Sequence, residues 1–126
     1  MSARIVVVDD DPSLVNLMTE NLEQQGYMVS QGYDGQMAIQ MAIDEQPNLI
    51  IMDVNMPVTS GLMAMESIRK NPQTFEIPII LLTGETSDKV YHRADAAGRV
   101  MHIKKPIDLD ELNSIVRDLI NRYPRD

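Results

Sequence analysis

Asp9, Asp10 and Asp11 follow directly on Ile5-Val6-Val7-Val8, and Asp53 follows directly on Leu49-Ile50-Ile51-Met52. Short apolar runs of this kind read as buried strands of a parallel sheet. Open α/β sheets bind ligands in the crevice beyond the carboxyl ends of their strands. If the two strands are neighbours, Asp9, Asp10 and Asp53 share one small space. At an effective dielectric near 20, two charges about 5 Å apart cost roughly 3 kcal/mol. Such a cluster calls for a cation, and oxygen-only ligands favour a hard ion, Mg²⁺ or Ca²⁺. Two more expected strands end in reactive groups: the apolar run Ile79-Ile80-Leu81-Leu82 leads into Thr83, and Val100–Lys104 leads into Lys105. A carboxylate nucleophile, a metal, a hydroxyl and an ammonium group suit phosphoryl transfer. There, position and neutralisation of the equatorial oxygens do most of the work. An aspartate can attack phosphorus to give an acyl phosphate. Mg²⁺ fits better than Ca²⁺, since it takes few carboxylates, several waters and a phosphate oxygen.

The elements that must hold these groups can be read in order. Ile5–Asp9 is the first strand. Asp11 then caps a helix that has Pro12 at its first position. Leu14, Leu17, Met18 and Leu22 recur at helical spacing as its apolar face, and Gly26 ends it. Tyr27–Ser30 is a short second strand and Tyr33-Asp34-Gly35 a turn. The second helix, Gln36–Glu45, offers Met37, Met41 and small alanines to its buried side. Leu49–Asp53 is the third strand, and Val54–Ser60 a loop punctuated by Pro57. Gly61 opens a third helix with Leu62, Met65 and Ile68 inward. Strand four is Ile79–Leu82, helix four runs from Ser87 to Ala97, and strand five is Val100–Lys104. Helix four has a weak apolar face of Val90, Ala94 and Ala97, which predicts low local stability. Helix five, Asp108–Tyr123, is capped by Asp108 and buries Leu109, Leu112, Val116 and Leu119. Five strands alternating with five helices predict an α/β domain, doubly wound, with a parallel sheet covered on both faces.

Composition narrows the functional classes. The 126 residues fit one domain, 1–126, and 44% hydrophobic residues give it a core. A net charge of −8 makes it a poor binder of nucleic acid. There is no cysteine, which excludes thiol nucleophiles and zinc–thiolate sites and suits a reducing cytoplasm. No apolar run approaches the length of a membrane span, and Met1–Arg4 opens no secretory signal. The ten methionines are expected as core filler. His92 lies on a polar helix with no second ligand at metal spacing and is expected in solvent, as is Lys104.

The segments Val8-Asp9-Asp10-Asp11-Pro12, Ile51-Met52-Asp53-Val54-Asn55-Met56-Pro57, Leu82-Thr83-Gly84 and Lys104-Lys105-Pro106 stand at successive strand ends over essentially the whole chain. Together they resemble the signature set of response-regulator receiver domains of two-component phosphorelay signalling. The resemblance implies a five-stranded flavodoxin-like fold, (βα)5, of strand order 2-1-3-4-5. It implies that Asp53 takes a phosphoryl group from the phosphohistidine of a sensor histidine kinase or phosphotransfer protein. Mg²⁺ would be held by Asp10 directly, by Asp9 largely through water, and by Asp53 and the Asn55 carbonyl. Lys105 would pair with Asp53 and then with the phosphoryl oxygens, across a cis Lys105–Pro106 bond, and Thr83 would swing in to the phosphoryl group. The output would be a changed surface of helix four, strand five and helix five. It would be read by a downstream protein or output domain, with dimerisation open to it.

Two residues depart from the family pattern. His102 stands where the family usually has Tyr or Phe, and Arg99 follows Gly98 where a small residue is usual. Both fall on the partner surface, so the switch or its partner is expected to differ while the phosphorylation chemistry stays. Competing readings fare worse. A phosphatase with an aspartyl-phosphate intermediate needs an acid/base aspartate two residues after the nucleophile, and that position is Asn55. A flavin domain of this topology needs a small hydroxyl-rich loop after the first strand, where Asp10-Asp11-Pro12 stands. A module that is never phosphorylated would have no use for the acidic set and Lys105. The chain is therefore expected to act as a switch that turns over no metabolite. It works alone or as part of a longer regulator.

Overall fold

The computed structural model describes residues 2–84 and 88–125, with the backbone alone for 88–91. The strands are β1 (Arg4–Val8), β2 (Met28–Gly32), β3 (Leu49–Asp53), β4 (Ile79–Thr83) and β5 (Val100–Lys104). The helices are α1 (Pro12–Gln24), α2 (Gly35–Glu45), α3 (Gly61–Lys70), α4 (Asp88–Ala97) and α5 (Leu109–Arg122). All strand pairs are parallel, in the order β2-β1-β3-β4-β5, as expected.

Alternation along the strands divides the core. Ile5, Val7, Leu49, Ile51, Ile80 and Leu82 pack with α1 and α5. Val6, Val8, Ile50, Met52, Ile79 and Leu81 pack with α2, α3 and α4. The central strands are buried on both faces, which is why they read as unbroken apolar runs rather than as alternation. Among the described residues no helix is long and apolar enough to cross a membrane.

Several boundaries and faces differ from the sequence reading. In α1 the buried stripe is Val15, Met18 and Leu22, while Leu17 is 49% exposed. In α2 the expected alanines, Ala38 and Ala42, are buried together with Gly35, and Met41 packs partly against the core, but Met37 is 37% exposed. That helix lies close against the strands, and small residues permit the approach. It starts at Gly35, because Asp34 is a helix cap whose side chain accepts from the Met37 amide at 2.8 Å. β2 runs two residues further than expected, to Gly32. Methionines do fill the core at Met18, Met52, Met56 and Met65, but Met28, Met63 and Met101 are exposed. The start of helix four at Ser87 and the side chain of Val90 lie outside the described residues. Ala94 is buried, and Arg93 pairs with Glu66 on α3.

The far edge of the sheet explains one of the two departures. Gly98 and Arg99 turn the chain into β5 with φ of 76° and 55°. Arg69 holds that turn, donating Nε to the Gly98 carbonyl at 3.0 Å, Nη1 to that of Ile77 at 2.6 Å and Nη2 to that of Arg99 at 3.2 Å. Burial, and then the charge of Arg99, lower Arg69 to about 10. Arg99 donates to the Glu76 carbonyl at 3.1 Å and lies 4.3 Å over the Tyr123 ring. The side chain that replaces a small one here thus ties the segment ahead of β4 to the end of α5.

Candidate functional site

Register brings the carboxylates together. Val8 pairs with Met52, so Asp9 and Asp53, one residue further on each strand, come level at the carboxyl edge. The neighbouring strand ends are tied by the Val54 amide to the Leu82 carbonyl at 3.0 Å and the Lys105 amide to that of Thr83 at 2.8 Å. One carboxylate oxygen from each of Asp9, Asp10 and Asp53 lies within 4.8 Å of the others. Asp9 and Asp53 are buried and Asp10 is exposed. The expected cluster therefore forms, with one side open to solvent.

Lys105 follows β5, and its ammonium reaches back over the cluster. Nζ is 3.1 Å from Asp9 Oδ2 and 3.4 Å from Asp53 Oδ2. The sequence reading paired it with Asp53 alone. The shorter contact, which is also a hydrogen bond, goes to Asp9. No spacing rule points to this, because it depends on how far the chain after β5 leans across the sheet edge. The Lys105–Pro106 peptide is cis, as expected. The remaining Asp9 oxygen accepts from the Asp11 amide at 3.0 Å, and Asp53 Oδ1 accepts from the Asn55 amide at 3.3 Å.

Electrostatics at the site are unbalanced without a further cation. Burial, and then the charge of Asp9, raise the Asp53 carboxyl above its usual range, against the pull of Lys105. Burial works to lower Lys105, yet its hydrogen bond to Asp9 and the charges of Asp53 and Asp9 carry it above the ordinary lysine value. Among the described residues, three converging carboxylates against one ammonium leave an excess of negative charge. A small hard cation with oxygen ligands fits there.

The other singled-out residues separate clearly. Thr83 ends β4 almost fully buried, at 1% exposure, and its Oγ1 has no hydrogen-bond partner among the described residues. A buried hydroxyl left in this state has capacity in reserve for an incoming acceptor. His102 pairs with Leu81 in the sheet and is half-buried. Burial pushes its imidazole below the ordinary value, with the charge of Asp95 opposing. Asp11 is a helix cap, accepting from the Ser13 amide at 3.0 Å, and Lys104 and His92 are exposed.

The loop after Asp53 was the least legible part of the site. Its base is closed by the Gly61 amide on the Val54 carbonyl at 2.9 Å. Its tip is a three-residue turn, the Thr59 amide bonding the Pro57 carbonyl at 2.8 Å around Val58 at φ 66°. That is a γ-turn of the rare, strained hand. A β-branched residue there is a genuine outlier. Val58 is 97% exposed, so its side chain gains little by packing. Val58→Gly is expected to stabilise the protein by about 1 kcal/mol, relief of strain outweighing the freer unfolded chain. Urea unfolding measures it, and a loss of stability would show that the turn is not strained.

The model of the response regulator receiver domain family matches residues 5–117. A DNA-binding dual master transcriptional regulator, RpaA, of Synechocystis sp. is 35% identical over 124 residues, which are 97% of this chain and 51% of that protein. The chain thus spans about half the length of this curated relative. The chemotaxis protein CheY4 of Vibrio cholerae superposes with a TM-score of 0.87 at 30% identity, over 94% of this chain and 99% of that one. The receiver domain of a sensor histidine kinase of Pseudomonas aeruginosa PAO1 was crystallised with magnesium coordinated in its active-site cleft. It superposes with a TM-score of 0.86 at 28% identity, over 96% of this chain and 99% of that one.

Proposed function

The chain belongs to the response regulator receiver domain family of two-component signalling, and from that premise we propose that it is a switch phosphorylated on Asp53 in an Mg²⁺-dependent reaction. The observation that carries this reading is the gathering of Asp9, Asp10 and Asp53 under the ammonium of Lys105. The donor is a phosphohistidine on a sensor kinase or phosphotransfer protein. An Asp53 oxygen forms the new bond to phosphorus as the nitrogen–phosphorus bond breaks and the imidazole leaves with that electron pair. Asp9, Asp10, Asp53 and the Asn55 carbonyl would hold Mg²⁺, which when bound supplies charge neutralisation for the phosphoryl oxygens. Lys105 stays with those oxygens, and the Thr83 hydroxyl, buried without a partner among the described residues, donates to one of them.

Binding that donated bond draws Thr83 and the end of β4 toward the phosphoryl group. β5 is paired to β4 at this level, Thr83 with Lys104 and Leu81 with His102. The rearrangement therefore reaches the surface of α4, β5 and α5, where a downstream protein, an output domain or a second copy reads it. With His102 in place of a large aromatic ring, the movement at β5 is smaller than a tyrosine-like rotation. The domain, residues 1–126, works in the cytoplasm, contacts no nucleic acid itself and turns over no metabolite. The relative twice its length is a DNA-binding regulator, which suits attachment of such a domain to an output module.

Incubation with acetyl phosphate and Mg²⁺ should add one phosphoryl group by mass. EDTA or Asp53→Ala should prevent it. Equal labelling of Asp53→Ala would sink the assignment of the acceptor, and full labelling in EDTA would remove the metal from the reaction.

A further inference from the structure

We infer that the contact between Gly35 and Thr59, at the first turn of α2, sets the Mg²⁺ affinity of the carboxylate cluster. The inference rests on the reading of that cluster as a metal site.

The proposed ligands come from two separate pieces of chain. Asp9 and Asp10 follow β1, whereas Asp53 and the Asn55 carbonyl belong to β3 and the loop after it. Their separation is a matter of tertiary structure. The segment that runs from the end of β2 into the first turn of α2 touches both pieces. At the end of β2 the Gly32 carbonyl accepts from the Asp9 amide at 3.3 Å, three residues ahead of Gly35. On the other side Gly35 lies against Thr59, four residues beyond Asn55. A Cβ on Gly35 would fall 2.4 Å from the Thr59 carbonyl oxygen, 2.7 Å from its Cγ2 and 2.9 Å from its Cβ. Gly35 has no left-handed φ, so closeness alone demands glycine here. Gln36 adds a hydrogen bond from Nε2 to Thr59 Oγ1 at 3.3 Å. Thr59 is buried in this contact, whereas its neighbour Val58 is not.

The loop has little freedom to absorb a push. Its base is fixed at Val54 and Gly61, and its tip is a tight turn. A methyl group on Gly35 must therefore displace either α2, with the Asp9 side of the cluster, or the backbone between Asn55 and Thr59. Both change the spacing of the ligands. Mg²⁺ demands near-ideal octahedral geometry at short distances, while Ca²⁺ accepts a looser and larger shell. A shift of this kind therefore costs Mg²⁺ affinity selectively. Gly35 and Thr59 are positioning residues and touch neither metal nor phosphoryl group.

The test is titration of the full chain with MgCl₂ and with CaCl₂, followed by the amide NMR shifts of Asp10 and Asn55. Gly35→Ala should weaken Mg²⁺ by roughly tenfold or more, as outer contacts of metal sites do, and Ca²⁺ by much less. Gln36 is exposed, so Gln36→Ala leaves the core untouched. It should weaken Mg²⁺ by about twofold to threefold, the lower end of such effects. Unchanged Mg²⁺ affinity in both variants, or equal losses of Mg²⁺ and Ca²⁺, overturns the inference. Should Gly35→Ala not fold, Gln36→Ala decides alone. A wild-type protein whose Asp10 and Asn55 amides ignore Mg²⁺ would instead refute the metal site itself.

Discussion

Asp53→Asn is expected to melt higher than the wild type in EDTA at pH 7 and to gain less from added Mg²⁺. The acceptor carboxylate is buried beside Asp9, and its carboxyl is raised above the usual range by burial first and by the Asp9 charge second. A raised carboxyl binds its proton more tightly in the folded state than in the unfolded chain. Its contribution is therefore fully present below the ordinary Asp value near 4 and is lost as pH rises through the raised one. At pH 7 the ionised group opposes folding. Asparagine keeps the shape and removes the charge, while Lys105 retains Asp9 at 3.1 Å. The expected gain is about 1–2 kcal/mol, a typical size for relief of one like-charge contact beside a compensating cation. The wild type's loss of stability between pH 4 and neutrality should also be shallower in the variant. Mg²⁺ reverses the order. At a hundred times its dissociation constant a ligand adds about 2.7 kcal/mol to the state that binds it, and the variant has one carboxylate fewer to bind with. Thermal melts with EDTA and with Mg²⁺, at pH 5 and pH 7, check both signs. A variant that melts lower than the wild type in EDTA at pH 7 would mean that Lys105 already balances the cluster.

This electrostatic pattern was legible in the sequence because it depends on strand ends alone. Apolar runs mark buried strands, their last residues mark the sheet edge, and β1 and β3 lie side by side. The carboxylates of Asp9 and Asp53 then meet with no further information. The helix faces were harder. In α1 the expected face of Leu14, Leu17, Met18 and Leu22 holds for Met18 and Leu22, which are buried, and for Leu14, which packs partly against the core; Val15 takes the buried place expected of Leu17, which stays outside. In α2 Met37, Met41 and the alanines were expected inward; Ala38 and Ala42 are buried and Met41 packs partly against the core, but close approach to the sheet leaves Met37 outside. Hydrophobicity ranks residues by what they gain from burial, and it is blind to how near two backbones must come.

The same blindness hid the supports of the site. Asp9 meeting Lys105 involves residues 96 positions apart. Gly35 against Thr59 and Gly61 against Asp53 are through-space contacts of residues with no side chain to announce them. Val58 gave no signal either, since nothing in its neighbours requires a positive φ. Chemistry-bearing groups could thus be named from sequence. The contacts that hold them at their working distances could not.

Gly61→Ala tests how rigid that holding is. A Cβ at Gly61 would lie 2.0 Å from the Asp53 carbonyl oxygen, 2.8 Å from its carbonyl carbon and 3.0 Å from the Val54 Cα. All three are backbone atoms, so no rotamer change relieves the clash. Gly61 has no left-handed φ, and the requirement is again one of approach. The helix it opens cannot back away freely. Ser60 caps it through the Met63 amide at 3.1 Å, and Leu62, Ala64, Met65 and Ile68 bury its inner face. Either α3 lifts from the sheet or the Asp53 peptide turns, and overpacking of this kind costs about 3 kcal/mol or more. For a domain of this size the melting temperature should fall by about 10–20 °C. The second consequence separates this change from simple destabilisation. Turning the Asp53 peptide carries its carboxylate with it and breaks the 3.4 Å contact to Lys105. Variant protein that is still fully folded, at low temperature, should therefore label slowly with acetyl phosphate at saturating Mg²⁺. A variant that melts lower but labels at the wild-type rate would show that α3 yields and the strand end does not. Normal melting together with normal labelling would show that the start of α3 gives way cheaply, and that Asp53 owes its position to the sheet alone.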